Sequence, residues 1–188
     1  MSGREADPLF RIAGERREWS GRRIQVSVVE VEGPGGSRHE REIVHHPGAV
    51  AVVPLHEDGT ITLLRQYRAA LDAEVWEIPA GLRDVDGEPP EATARRELAE
   101  EAGLRARDLA HLVTFHNSPG FSDEALVIFL ATGLTEVPDD RQGAEERHML
   151  VARKPLTEAL AMVDDGRITD AKTVIAVLDL ARRRVSAG

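Results

Sequence analysis

Gly81 to Leu104, GLRDVDGEPPEATARRELAEEAGL, is the stretch on which the reading of this chain turns. Pro89 and Pro90 suit a helix start, because the first turn has unpaired N–H groups in any case, and Gly103 suits a left-handed end. The spacing predicts a short helix between them. At 3.6 residues per turn, Glu97 and Glu101 share one face, with Glu100 a step round. Like charges at that spacing repel. They also gather at the C-terminal end of the helix, where the dipole favours cations. Hard divalent cations take oxygen ligands and bridge to phosphate oxygens, so the run reads as a metal site for phosphate chemistry. A solvated acidic face is the plainer alternative, but it gives no reason for placing the carboxylates at the unfavourable end.

Working outward, the 188 residues suit one domain with a sizeable core and a small appended piece. The formal net charge of −9 argues against general binding to nucleic acid or to anionic membranes. It is compatible with a polyanionic small molecule if metals and a few arginines neutralise it locally. The absence of cysteine excludes disulfides, thiol chemistry and Cys-based zinc sites. No apolar run reaches the length of a membrane span and no signal-like segment opens the chain, so a cytoplasmic protein is expected. The seven histidines form no helical pair at zinc spacing, and His45-His46 read as structural.

Period-two alternation at Ile24, Val26 and Val28 predicts a strand over 22–31, with a turn at 33–36 and a partner over 38–44. Further strands are expected at 49–55, 60–67, 74–78, 109–115, 125–130 and 149–152, and closing helices at 155–164 and 170–184. Residues 135–147 read as a polar loop. This order is mixed α/β, a central sheet flanked by helices.

Gly81, Glu88, Arg96-Glu97-Leu98, Glu100-Glu101 and Gly103-Leu104 together resemble the signature of the Nudix hydrolases, which cleave nucleoside diphosphates linked to another moiety. One spacing departs from the pattern: six residues, not five, separate Gly81 from Glu88. An extra residue in a loop costs little and leaves the helix carboxylates untouched. The resemblance implies an α/β/α sandwich with a mixed sheet over 46–188. It also implies that residues 1–45 form a small antiparallel sheet that joins two subunits into a homodimer.

Within the family, Trp76–Gly81 (WEIPAG), Arg65–Arg68 and Pro119, fifteen residues beyond Leu104, are similar to the ADP-ribose pyrophosphatase branch. That branch cleaves ADP-ribose, a nucleotide sugar, to AMP and ribose 5-phosphate with Mg²⁺ or Mn²⁺. Matched residue by residue, it implies that Glu97, Glu101 and the Ala80 carbonyl bind metal, that Glu100 assists, and that Arg96 holds the carboxylates by ion pairs. Arg68 and Arg41 would contact substrate, with Pro119 shaping the loop beside it. Trp19 either stacks on adenine or belongs to the core. A general base free of metal is expected on the 139–147 loop, at Glu145 with Glu146 next. The alternatives are hydrolysis of another nucleoside diphosphate sugar or an oxidised nucleotide, or a non-catalytic ADP-ribose sensor. Such sensors tend to lose the carboxylates that this chain keeps.

Overall fold

A computed structural model describes residues 9–138 and 148–186. Its elements run β1 (Arg11–Ser20), β2 (Gln25–Glu32), β3 (Arg38–His45), β4 (Ala49–Pro54), β5 (Thr60–Arg68), β6 (Ala73–Glu77), β7 (Ala80–Leu82), α1 (Pro90–Ala102), β8 (Leu104–His116), β9 (Ala125–Glu136), β10 (Leu150–Pro155), α2 (Leu156–Asp164) and α3 (Ala171–Ser186). They fall into two compact units, Met1–Pro47 with His116–Glu124, and Gly48–Phe115 with Ala125–Gly188.

The first unit is an antiparallel sheet in the order β1-β2-β3. The 116–124 segment joins it through a bridge between Val44 and Ser122, with Val44 N–H donating to the Phe121 carbonyl at 2.7 Å. His45 and His46 act structurally here: Nδ1 of His45 lies 2.7 Å from Asp123 Oδ2, and the His46 N–H donates to Asp123 Oδ1 at 2.8 Å. β1 has no counterpart among the expected strands. RIAGERREWS lacks alternation because nearly all of the strand is exposed, so neither face leaves a hydrophobic imprint.

In the second unit, β4 sets the layers. Val50 and Val52 pack with Ala94 and Leu98 of α1 and with Leu104 and Phe129. Ala49, Ala51 and Val53 point the other way, toward Leu156, Ala159 and Met162 of α2 and Ala176, Val177 and Leu180 of α3. A strand buried on both faces reads as a continuous apolar run, as AVAVVP does. Its sheet, β7-β4-β9-β8, is mixed: β4 runs parallel to β9 and antiparallel to β7. A second sheet, β10-β5-β6, is antiparallel. Helices on both faces make the expected α/β/α sandwich. Among the described residues no helix is long and apolar enough to cross a membrane.

Three boundaries differ from expectation. After Pro79 the chain re-enters the sheet as β7, only three residues long and too short to carry a period. β8 begins at once after α1, at Leu104. β9 continues to Glu136, so the expected polar loop starts later; Gly133, at φ 63°, sits inside the strand where a glycine suggests its end.

Candidate active site

α1 forms where the prolines and glycine place it. Pro90 occupies the first turn, and Gly103 closes the helix at φ 63°, ψ 35°, donating its N–H to the Ala99 and Leu98 carbonyls. Thr93, Ala94, Leu98 and Glu101 form its buried stripe. A carboxylate on that stripe needs a partner, since an unpaired buried charge is costly. Glu101 is 5% exposed, and its Oε2 accepts the Ala80 N–H at 2.8 Å.

Glu97 lies beside it against β7. A Cβ at Gly81 would intrude on its carboxylate, so the glycine is what leaves room for that carboxylate against the strand. Arg96 binds the outer side, with Nη1 2.7 Å from Glu97 Oε1 and 3.3 Å from Glu100 Oε2, and Nη2 3.5 Å from Glu88 Oε2. Burial opposes the Arg96 charge, but Glu97, Glu100 and Glu88 outweigh it and hold its pKa above the usual arginine value. Glu88 is itself fixed by the Thr93 hydroxyl at 2.8 Å.

This donor set fits a hard divalent cation: two carboxylates, Glu97 and Glu101, crowded onto the backbone of Ala80 and Gly81, all oxygen donors. Among the described residues no three His, Asp or Glu side chains converge on one cation position. The Ala80 carbonyl, which the family resemblance names as a further ligand, belongs to the same short strand.

Arg68, at the end of β5, is gripped by Glu77 at the end of β6, through Nε to Oε1 and Nη2 to Oε2, both at 2.6 Å. Its pKa is raised by the bond to Glu77 against the effect of burial, with further help from the charges of Glu77, Glu101 and Asp170. Arg68 thus feels the charge of Glu101 on α1. Burial alone would raise the Glu77 pKa; Arg68 and Lys172 outweigh it and hold it below the usual value. Sequence reasoning missed Glu77 and Lys172. A hint was available, because Glu77 falls on the same side of β6 as buried Val75.

The other expected residues lie in the first unit. Arg41 is exposed on β3, with Nη1 donating to the Glu40 carbonyl at 2.9 Å. Pro119 is exposed in a turn closed by Ser122 N–H donating to the Ser118 carbonyl at 2.9 Å. Trp19 is 54% exposed, so the core alternative fails. Glu145 and Glu146 lie outside the described residues.

Residues 45–184 match the NUDIX domain family. The chain is 42% identical over 159 residues to an ADP-ribose pyrophosphatase of Bacillus subtilis (strain 168), covering 85% of each protein. It is 44% identical over 149 residues to an ADP-ribose pyrophosphatase of Mycobacterium tuberculosis, covering 79% of this chain and 72% of that one. A methanol dehydrogenase activator of Bacillus methanolicus is 41% identical over 159 residues, 85% of each chain. In three dimensions the chain resembles an ADP compounds hydrolase, with a TM-score of 0.82 over 98% of this chain and 99% of that one; at 24% identity the likeness speaks for the fold.

Proposed function

Given that this chain belongs to the Nudix family, we propose that it hydrolyses the pyrophosphate bond of ADP-ribose to AMP and ribose 5-phosphate. One observation supports this most directly. Glu97 and Glu101 are gathered on β7 with the held cation Arg68 in the field of Glu101, in a chain 42% and 44% identical to two ADP-ribose pyrophosphatases.

Nudix hydrolases generally depend on a divalent metal; for this chain we take Mg²⁺ or Mn²⁺. Glu97, Glu101 and the Ala80 carbonyl would hold it, and it would supply charge neutralisation at the diphosphate. The remaining work falls to side chains. Arg96 keeps Glu97 and Glu100 oriented and offsets their repulsion. Arg68 presents a fixed guanidinium to a phosphate oxygen. Arg41, Trp19 and Pro119 belong to recognition of the rest of the nucleotide sugar. Glu145, or failing it Glu146, takes the proton of the attacking water, a task suited to a carboxylate free of metal. Residues 1–45 serve dimerisation and 46–188 catalysis, in the cytoplasm. Exposed apolar side chains on and just before β1 support the dimer: Phe10, Ile12 and Trp19 are 53%, 67% and 54% exposed.

A panel of nucleotide sugars and deoxynucleoside triphosphates with each metal, products resolved by chromatography, tests the reading. ADP-ribose is expected to give the highest kcat/KM. A larger kcat/KM for a deoxynucleoside triphosphate overturns the substrate assignment. No turnover of any of these by the folded, metal-loaded protein overturns the enzyme reading in favour of a binding role. Hydrolysis in ¹⁸O-water then identifies the phosphorus attacked.

A further inference from the structure

Glu77 is 1% exposed, and its carboxylate is shared by two cations. Arg68 takes both oxygens in a fork, and Lys172 Nζ donates to Oε2 at 2.5 Å. Lys172, 7% exposed, also donates to Asp170 Oδ1 at 2.9 Å. The other oxygen of Asp170 caps α3, accepting from Thr173 N–H at 3.0 Å and from its hydroxyl at 2.6 Å. The Thr173 hydroxyl oxygen in turn accepts the Ile78 N–H at 2.9 Å. The start of α3 therefore grips this end of β6 twice, Lys172 holding the Glu77 side chain and the Thr173 hydroxyl holding the main chain at Ile78. Two residues beyond Ile78 stands Ala80, whose N–H is held by Glu101.

Stability is a poor reason for such a cluster, because replacing buried ion pairs with apolar residues is often neutral or stabilising. Its geometric effect is specific. Arg68 has Nε and Nη2 committed to Glu77, so its plane is fixed, yet its side chain is still 43% exposed. Among the described residues Nη1 has no hydrogen-bond partner, and it is the edge left for a ligand. An arginine ordered in advance loses little freedom when it binds an oxyanion.

We propose that Glu77, held by Lys172, is a positioning residue that fixes Arg68 with its Nη1 edge presented to a phosphate oxygen of the substrate diphosphate. This rests on the hydrolase reading above. Asp170 and Thr173 carry the same constraint into α3, so the helix start, the arginine and the metal-loop backbone form one held unit.

The test is a variant cycle on the full chain: wild type, Glu77→Gln, Arg68→Met and both together. Glu77→Gln is expected to raise KM for ADP-ribose about tenfold or more, in line with loss of a charge-assisted bond. The change in kcat should be smaller, and the Mg²⁺ concentration for half-maximal rate should not move. With Arg68→Met already present, Glu77→Gln should add little, since the two act as one unit. Because Glu77→Gln leaves Lys172 short of a counter-charge, Glu77→Gln/Lys172→Met, which removes one charge of each sign, is the second variant and should show the same KM rise. By ¹⁵N NMR the Arg68 Nε–H should exchange slowly in wild type and quickly in Glu77→Gln, a readout independent of turnover. An unchanged KM in either folded variant, or effects that multiply in the cycle, overturns the positioning role while leaving the hydrolase reading intact. Failure of wild type to cleave ADP-ribose overturns the ADP-ribose reading above, and the positioning role with it.

Discussion

A Cβ built on Gly81 would stand 2.0 Å from Cδ and 2.1 Å from Oε1 of Glu97. The constraint is contact, since Gly81 is not among the residues at positive φ. The Glu97 carboxylate occupies the volume a side chain would need, and even an alanine must push it away from β7 and from Arg96. We expect Gly81→Ala to lower kcat roughly a hundredfold, the scale of an ångström-sized misplacement, and to raise the Mg²⁺ requirement. Steady-state rates against Mg²⁺ concentration check this. A wild-type Mg²⁺ dependence would show that Glu97 does not need its place against the strand.

Glu101 is the second carboxylate on β7, and glutamine in its place keeps an oxygen for the Ala80 N–H while removing the charge. Glu101→Gln is therefore expected to abolish metal-dependent turnover with the fold preserved, as seen by circular dichroism. In wild type, Mg²⁺ with a substrate analogue should raise the Tm by ligand linkage, and the variant should lose much of that rise. Near-normal activity in the folded variant would defeat the metal assignment.

What could be read in advance was local. Pro89, Pro90 and Gly103 bound α1 because their backbone preferences act within one turn, and the Glu97–Glu101 face follows from helical pitch. β4 and the closing helices were legible because burial imprints a period or an apolar run. β1 left no such imprint, being exposed along nearly its whole length and charged at Glu15, Arg16, Arg17 and Glu18. The Glu77–Lys172 pair was invisible for another reason. Its members are distant in the chain, and only the tertiary approach of α3 to β6 turns an odd inward charge into a paired one.

Ile12, on β1 at the edge of the first sheet, is 67% exposed, and Phe10 and Trp19 nearby in sequence are also open. Apolar side chains on an edge strand invite pairing with another chain. Sedimentation equilibrium is expected to find a dimer, and Ile12→Glu should shift it toward monomer without unfolding the second unit. A monomeric wild type would remove residues 1–45 as a dimerisation element.

Glu77 also makes a pH prediction. Its folded pKa lies below the ordinary value because Arg68 and Lys172 outweigh the effect of burial, while in the unfolded chain it returns to about 4.3. Near and below that value the unfolded state binds more protons, so unfolding is favoured as pH falls. The stabilisation is fully present above the unfolded pKa and is lost as pH drops through the folded one. The Tm difference between wild type and Glu77→Gln should therefore hold steady from neutral pH to about pH 5 and shrink below about pH 4.3. Thermal melts across that range measure it. A difference that widens on acidification contradicts the depressed pKa.

Hydrolysis still requires a base. Glu97 and Glu101 are poor choices once a cation is bound, because its charge lowers their affinity for a proton. Arg96 engages Glu97 and Glu100 and lies near Glu88, so those carboxylates are similarly tied. The 139–147 segment, outside the described residues, carries the acidic side chains on which the family resemblance places the base. Glu145→Gln is expected to lower kcat at least about a hundredfold with little change in KM, the low end of a general base's worth. Glu146→Gln should do much less. If the two effects are exchanged, the base is Glu146 and the match to the family slips by one residue. If each variant stays within a few-fold of wild type, neither is the base, and the water must lose its proton without help from either residue.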